Sequence, residues 1–298
     1  MSSYLEATAR ERVDRLFDPG SFQEVLPPSA RVVSPHLGQL NAPVAFDDGV
    51  AVGRAQLNGR AVFVAAQEGG FMGGAVGEVH GAKLAGMLRR ALLDAPEAVL
   101  LLLETGGVRL HEANAGLIAV SEVMRAVLDV RAAGIPVIAL VGGANGCFGG
   151  MGIVARCTNA VIMSEEGRLA MSGPEVIETA SGVEEFDARD RALVWRTTGG
   201  KHRYLLGDCQ ALVADSVDAF RAAALAQMDA LAAGPVALTL DALEQEQALL
   251  TQRLEQFGHV REPMELWRAL GVDEPEALPL LEAADFVERV GAQRLGAC

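Results

Sequence analysis

The sequence is poor in aromatic residues, in lysine, in paired cysteines and in long apolar runs, and each shortage excludes something. Aromatics make up 5% of 298 residues, so the core must be assembled from Ala, Val and Leu, which suits helices packed closely on a sheet more than a sandwich. The four cysteines, Cys147, Cys157, Cys209 and Cys298, show no paired spacing. That argues against a disulfide framework, and the charged start MSSYLEATARERVDRL lacks the apolar stretch of a secretory signal, so a soluble chain in a reducing cytoplasm is expected. The longest apolar run, Ala98–Leu103, falls far short of the roughly 20 residues that span a bilayer. Two lysines, Lys83 and Lys201, stand among 23 arginines, and 39 acidic against 25 basic side chains leave a formal charge of -14. That charge repels phosphate backbones and anionic lipids, so neither nucleic acid nor membrane is expected as a partner.

Signatures of common chemistries are missing too. His36, His80, His111, His202 and His259 form no HExxH and the cysteines no CxxC, so no metal site is expected. There is no Walker sequence and no GxSxG elbow. Gly150, Gly152 and Ala155 copy the shape GxGxxA, but eight residues separate Gly150 from Val141 at the end of the preceding apolar run, whereas a dinucleotide fingerprint follows its strand at once.

Half of the residues are apolar and 21% are charged, which rules out disorder and predicts one large domain or two. Ser3 followed by Glu6 reads as a capping box, with Leu5, Ala9, Val13, Leu16 and Phe17 continuing at helical spacing. Residues 22–43 are proline-rich and aperiodic, either an extended lead-in or a segment wrapping a neighbour. VAVGRAQL and AVFVAAQ around Asn58-Gly59 predict a hairpin. Residues 75–93 read as an amphipathic helix, with Val79, Leu84, Met87, Leu88 and Leu92 near one face. AVLLLLE and IPVIALV lack polar alternation, as parallel strands covered on both sides do, and a long helix at 111–132 lies between them. A short apolar helix, strand-like NAVIMSE and RLAMS, and a helix started by Gly173-Pro174 follow, and residues 216–298 read as almost wholly helical. Without a composition break that marks a linker, residues 1–298 are expected to form a single domain, with a lead-in at 1–43, a core at 44–215 and a helical end at 216–298.

Two glycine pairs carry the functional signal. Gly106-Gly107 and Gly149-Gly150 each lie between a buried strand and a helix start, 43 residues apart, so both turns should face one edge of the sheet. Glycine admits close approach of a ligand to the backbone, and helix N-termini present unpaired N–H groups at a positive dipole end, so two such turns suit an oxyanion hole. Each pair alone is more simply explained by tight turning and close packing; both on one edge favour the site. Arg109 and His111 follow the first pair, an arginine able to hold a carboxylate and a histidine able to move a proton, or a surface or capping pair. Cys147, inside the second cluster, is more simply a small buried hydrophobe than a nucleophile.

GGFMGGAVGEVHGAKL, ETGGVRLHEANAGL, GIPVIALVGGANGCFGGMG and RLAMSGPEVIE, in this order across residues 44–215, resemble the carboxyltransferase branch of the crotonase superfamily. Bacterial acyl-CoA carboxylase β subunits add an N-terminal zinc ribbon, and no cysteine precedes residue 147 here. The short start, the form VRLHE and the helical end are most similar to the β subunits of biotin-independent malonate decarboxylases. The resemblance implies an α/β fold of the crotonase type, a layered ββα superhelix with a helical C-terminal region. It also implies a catalytic subunit that decarboxylates malonyl thioester to acetyl thioester and CO2 without biotin, metal or covalently bound cofactor. Its substrate is carried on the CoA-like, phosphopantetheine-type group of an acyl-carrier subunit, loaded by a malonyl/acetyl transferase, and a homologous γ subunit completes a heterodimer. Gly106, Gly107, Gly149, Gly150 and His111 would then be catalytic, and Gly73, Gly74, Arg109 and Gly173 would bind substrate. A carboxyltransferase β subunit of an acyl-CoA carboxylase, or a non-catalytic partner-binding subunit, are the alternatives.

Overall fold

The computed structural model describes residues 2–41, 49–112, 114–234 and 238–296. In chain order the elements are α1 (Ala9–Leu16), β1 (Gln23–Val25), α2 (Pro35–Gln39), β2 (Val50–Leu57), β3 (Arg60–Gln67), α3 (Glu78–Asp94), β4 (Ala98–Leu103) and α4 (Asn114–Ala132). There follow β5 (Val137–Val141), α5 (Gly150–Arg156), β6 (Ala160–Ser164), α6 (Pro174–Ser181), α7 (Arg191–Thr198), α8 (Gly200–Leu205) and β7 (Ala211–Val213). The helical end comprises α9 (Val217–Ala233), α10 (Leu240–Phe257), α11 (Pro263–Ala269) and α12 (Ala283–Val290).

The seven strands form one sheet in sequential order, antiparallel from β1 to β3 and parallel from β3 to β7. Asn58 and Gly59 both take positive φ, 54° and 75°, which matches the right-handed twist of the β2–β3 hairpin. On β4, Val99, Leu101 and Leu103 enter the core under α3 and α4, while Ala98, Leu100 and Leu102 enter a second core under α1 and α9. Helices on both faces remove any need for a polar side, which is why the strand reads as an unbroken apolar run. At the C-terminal ends of the parallel strands, a second layer is stitched by bridges from Val76 to Val108, Thr105 to Cys147 and Cys147 to Leu169. This is the layered ββα arrangement of the crotonase type, with a helical C-terminal region. Trp267, Phe286 and Val290 of that region share the first core with the sheet.

Several local expectations change. The capping box lies at Thr8–Glu11, not Ser3–Glu6. At Ser3 half of the expected box forms: its hydroxyl accepts from the Glu6 N–H at 3.1 Å and donates to Asp215, whose carboxylate also accepts from the Tyr4 and Leu5 N–H groups. The lead-in adds β1 to its own sheet; residues 42–48 and Cys298 lie outside the described residues. On α3, Ala91 fills the core while Leu92 is exposed. His111 falls in a 3-10 turn, Leu110–Glu112, ahead of α4. RLAMS is no strand of the sheet; its backbone pairs with the Cys147 loop on one side, and on the other the Leu169 N–H donates to Thr198 O at 2.8 Å. The short β1, α7, α8 and β7 carry no periodic signal in the sequence.

Candidate active site

The two glycine turns meet. Thr105 N–H donates to Gly146 O at 2.8 Å and Phe148 N–H to Thr105 O at 2.9 Å, so the chain leaving β4 runs beside the loop leaving β5. A third glycine loop closes on the first: Gly106 N–H donates to Gly73 O at 2.9 Å, and Val76 N–H to Gly107 O at 2.9 Å. Gly149 takes φ 65° and ψ -145°, a conformation essentially confined to glycine. A Cβ at Gly149 would stand 3.1 Å from the Gly107 Cα, a tight contact that adds to the backbone's demand for glycine. Gly74 takes φ 69° and is packed on the Glu104 carbonyl. Gly73 and Gly107 also take positive φ, and a Cβ on either would meet open space.

Three of the four expected oxyanion donors are engaged within the chain. Gly106 N–H bonds Gly73 O, Gly107 N–H bonds the Thr105 hydroxyl at 3.1 Å, and Gly149 N–H bonds Met171 O at 3.0 Å. The Gly150 N–H, in the first turn of α5, bonds no described residue. Gly150 is a glycine for packing, however, because its Cβ would stand 2.5 Å from Val120 Cγ1 on α4. Gly173 is the N-cap of α6, with Pro174 at the first helical position, and faces the Phe148 ring.

The charged candidates behave differently from one another. Arg109 is 5% exposed and bound to structure: Nε donates to Ala75 O at 2.9 Å, one Nη pairs with Glu112 at 3.3 Å, and the guanidinium lies over the Phe71 ring. Glu112 in turn accepts from the Glu78 N–H at the start of α3. The pair ties the first turn to α3, which accounts for Arg109 without a substrate carboxylate. His111 is half-buried in the next turn. Burial pushes the Cys147 thiol far above its usual range, so this buried side chain carries no thiolate. Burial likewise holds His202 neutral, its pKa lowered to about 3, where it accepts from Trp267 Nε1 at 3.0 Å.

Two residues escaped sequence reasoning. Thr105 both accepts from Gly107 N–H and donates to Gly107 O, a local threonine turn that closes the loop. Glu104 is 5% exposed at the end of an otherwise apolar strand, and an acid in that position is itself the signal that a buried partner must exist.

A cavity of about 820 Å³ lies between β1, β2 and α3, lined by residues that include Val25, Val33, Phe63 and Met87 and none of the turn glycines. Around the turns the elements instead expose apolar side chains: Met72, Leu110, Leu117, Ile118, Ile153 and Met171. Among the described residues no group of three or more His, Cys, Asp or Glu side chains is arranged to hold a metal ion, and no helix is long and apolar enough to cross a membrane.

The carboxyl transferase domain family matches residues 6–223. A Malonomonas rubra protein described as malonyl-S-ACP:biotin-protein carboxyltransferase MADC is 41% identical over 313 residues, covering 99% of this chain and 97% of the relative. A chain in the structure of a Pseudomonas malonate decarboxylase hetero-tetramer in complex with malonate is 45% identical with a TM-score of 0.73, over 77% of this chain and 84% of that one. A chain of the Pseudomonas malonate decarboxylase MdcD-MdcE hetero-dimer is 40% identical with a TM-score of 0.62, over 76% and 88%.

Proposed function

The chain belongs to the carboxyl transferase family, and from that premise we propose that it is the catalytic β subunit of a malonate decarboxylase, converting malonyl thioester to acetyl thioester and CO2. The observation that carries this reading is the meeting of the two glycine turns at one sheet edge, with Gly149 against Gly107. The likeness to chains of Pseudomonas malonate decarboxylase assemblies supports it.

In the reaction the bond between the malonyl carboxylate and Cα breaks, its electron pair moves to the thioester oxygen as an enolate, and CO2 departs. A proton then returns to Cα. A backbone donor aimed at the developing oxyanion contributes about 3 kcal/mol, or 10² to 10³ in rate, without a nucleophile. The Gly150 N–H has its bonding capacity left for that role, while Gly106, Gly107 and Gly149 hold it in place through their own bonds. His111 is the proton donor in this reading, and His111→Asn should lower kcat by about 10² to 10³. The substrate arrives on the phosphopantetheine-type arm of an acyl-carrier subunit charged by a malonyl/acetyl transferase. A homologous γ subunit covers the exposed Leu110, Leu117, Ile118 and Met171 and supplies the opposite wall.

One observation favours a second reading: the Malonomonas rubra relative is described as a biotin-protein carboxyltransferase. There the same enolate forms, but CO2 is handed to a biotin nitrogen on another protein. Purified chain with its γ subunit and malonyl thioester on the carrier should yield equal amounts of acetyl thioester and free CO2, unaffected by avidin. Turnover that appears only with a biotinylated acceptor would select the second reading.

A further inference from the structure

Three glycine loops converge on one buried carboxylate. Glu104, directly before the first turn, accepts through Oε1 from the Asn145 N–H at 3.1 Å and the Asn145 side-chain amide at 3.2 Å, both in the loop that leads to the second turn. Its Oε2 is paired with Arg12 of α1, a guanidinium only 1% exposed. A Cβ at Gly143 or at Gly69 would overlap the Glu104 carboxylate, so the second and third loops are both built from glycine where they touch it. The Glu104 N–H is held by Gln67 Oε1 at 3.1 Å, at the end of β3. Arg12 is itself fixed, with Nε donating to Tyr4 O at 2.9 Å and the guanidinium stacked on the Tyr4 ring. The N-terminal segment is anchored in turn by Asp215.

A buried carboxylate and guanidinium are costly to desolvate, and replacing such a pair by apolar groups commonly leaves stability unchanged or raised. Stability alone therefore does not explain their presence here. A carboxylate offers two oxygens as acceptors and no donor, and here they reach donors on α1 and on the loop leading to the second turn, while the carboxylate's own backbone leads into the first. We propose that Glu104, neutralised by Arg12, is a positioning residue that sets the spacing of the two glycine turns and so the alignment of the Gly150 N–H with the developing oxyanion. This deepens the decarboxylase reading and rests on it. The N-terminal helix, outside the sheet, thereby becomes part of the catalytic apparatus without touching substrate.

The test compares wild type, Glu104→Gln and the double variant Glu104→Gln/Arg12→Met as full-length chains with the γ subunit, by thermal unfolding, kcat and KM for malonyl thioester, and affinity for acetyl thioester. Glutamine keeps the shape but places a donor among donors. The single variant should unfold at a lower temperature, because Arg12 is left buried without its counterion. The double variant removes that charge and should regain thermal stability while kcat stays at least 10-fold below wild type, with KM and acetyl thioester affinity within twofold. A folded double variant with wild-type kcat would overturn the positioning role and leave the pair a structural one. An inactive wild-type complex would instead count against the decarboxylase reading, so the two failures are distinct.

Discussion

At the scale of single residues, what distinguishes the glycines is the direction each Cβ would take. Gly149→Ala forces φ 65°, ψ -145° on a residue with a Cβ and presses it on Gly107; it should cost about 1–3 kcal/mol of stability and remove most turnover. Gly150→Ala presses on Val120 instead, an overpacking of about 1–3 kcal/mol. Adding Val120→Ala should restore both unfolding temperature and turnover to Gly150→Ala, and no change on Val120 should rescue Gly149→Ala. Unfolding and steady-state rates on the four proteins check this, and rescue of Gly149→Ala would refute the assignment. The glycine pairs were legible in the sequence because a strand-turn-helix pattern brackets each of them. Glu104 and Asn145 were not, since what makes them matter is a contact across 41 residues that no local pattern encodes. Arg109 illustrates the converse. Its position after a glycine pair suggests a ligand, and only the buried partner, Glu112, reveals that the guanidinium is already engaged.

At the scale of elements, the long ones read true because burial imposes a period. β4, β5 and β6 are apolar on both faces, and α3 and α4 show their core stripes. The three-residue β1 and β7 and the short α7 and α8 exist through tertiary contacts, so sequence gives no warning of them. One such contact makes stability pH-dependent. His202 on α8 accepts from Trp267 on α11 and stays neutral down to about 3, whereas the unfolded chain protonates it below about 6.5. The unfolded state therefore binds more protons between those values, and stability should fall as pH drops through that window. Replacing His202 by Gln keeps an acceptor for Trp267 and should flatten the dependence, measured as unfolding midpoints from pH 7 to 4. An equal slope in the variant would place the acid sensitivity elsewhere.

At the scale of the molecule, the crotonase-type layering followed from motif order, but which surface stays open did not, because an exposed leucine and a buried one look alike in sequence. Leu110, Leu117, Ile118 and Met171 are exposed on the elements that carry the turns, and a stable subunit contact of the obligate kind buries about 2,000 Å² or more. Ile118→Asp should weaken association with the γ subunit at least 10-fold by analytical ultracentrifugation and leave the unfolding temperature of the isolated chain unchanged; unaltered association would move the interface off α4. The C-terminal helices α11 and α12 share the sheet's core, and a single domain remains our proposal for the chain. The central claim, that the paired turns stabilise an enolate, is tested most directly by the dissociation constant of a nitronate thioether that copies the planar, charged enolate. The heterodimer should bind it at least 10²-fold more tightly than acetyl thioester, an advantage that Gly149→Ala abolishes. Equal affinity for the two ligands in the wild-type complex would contradict the account.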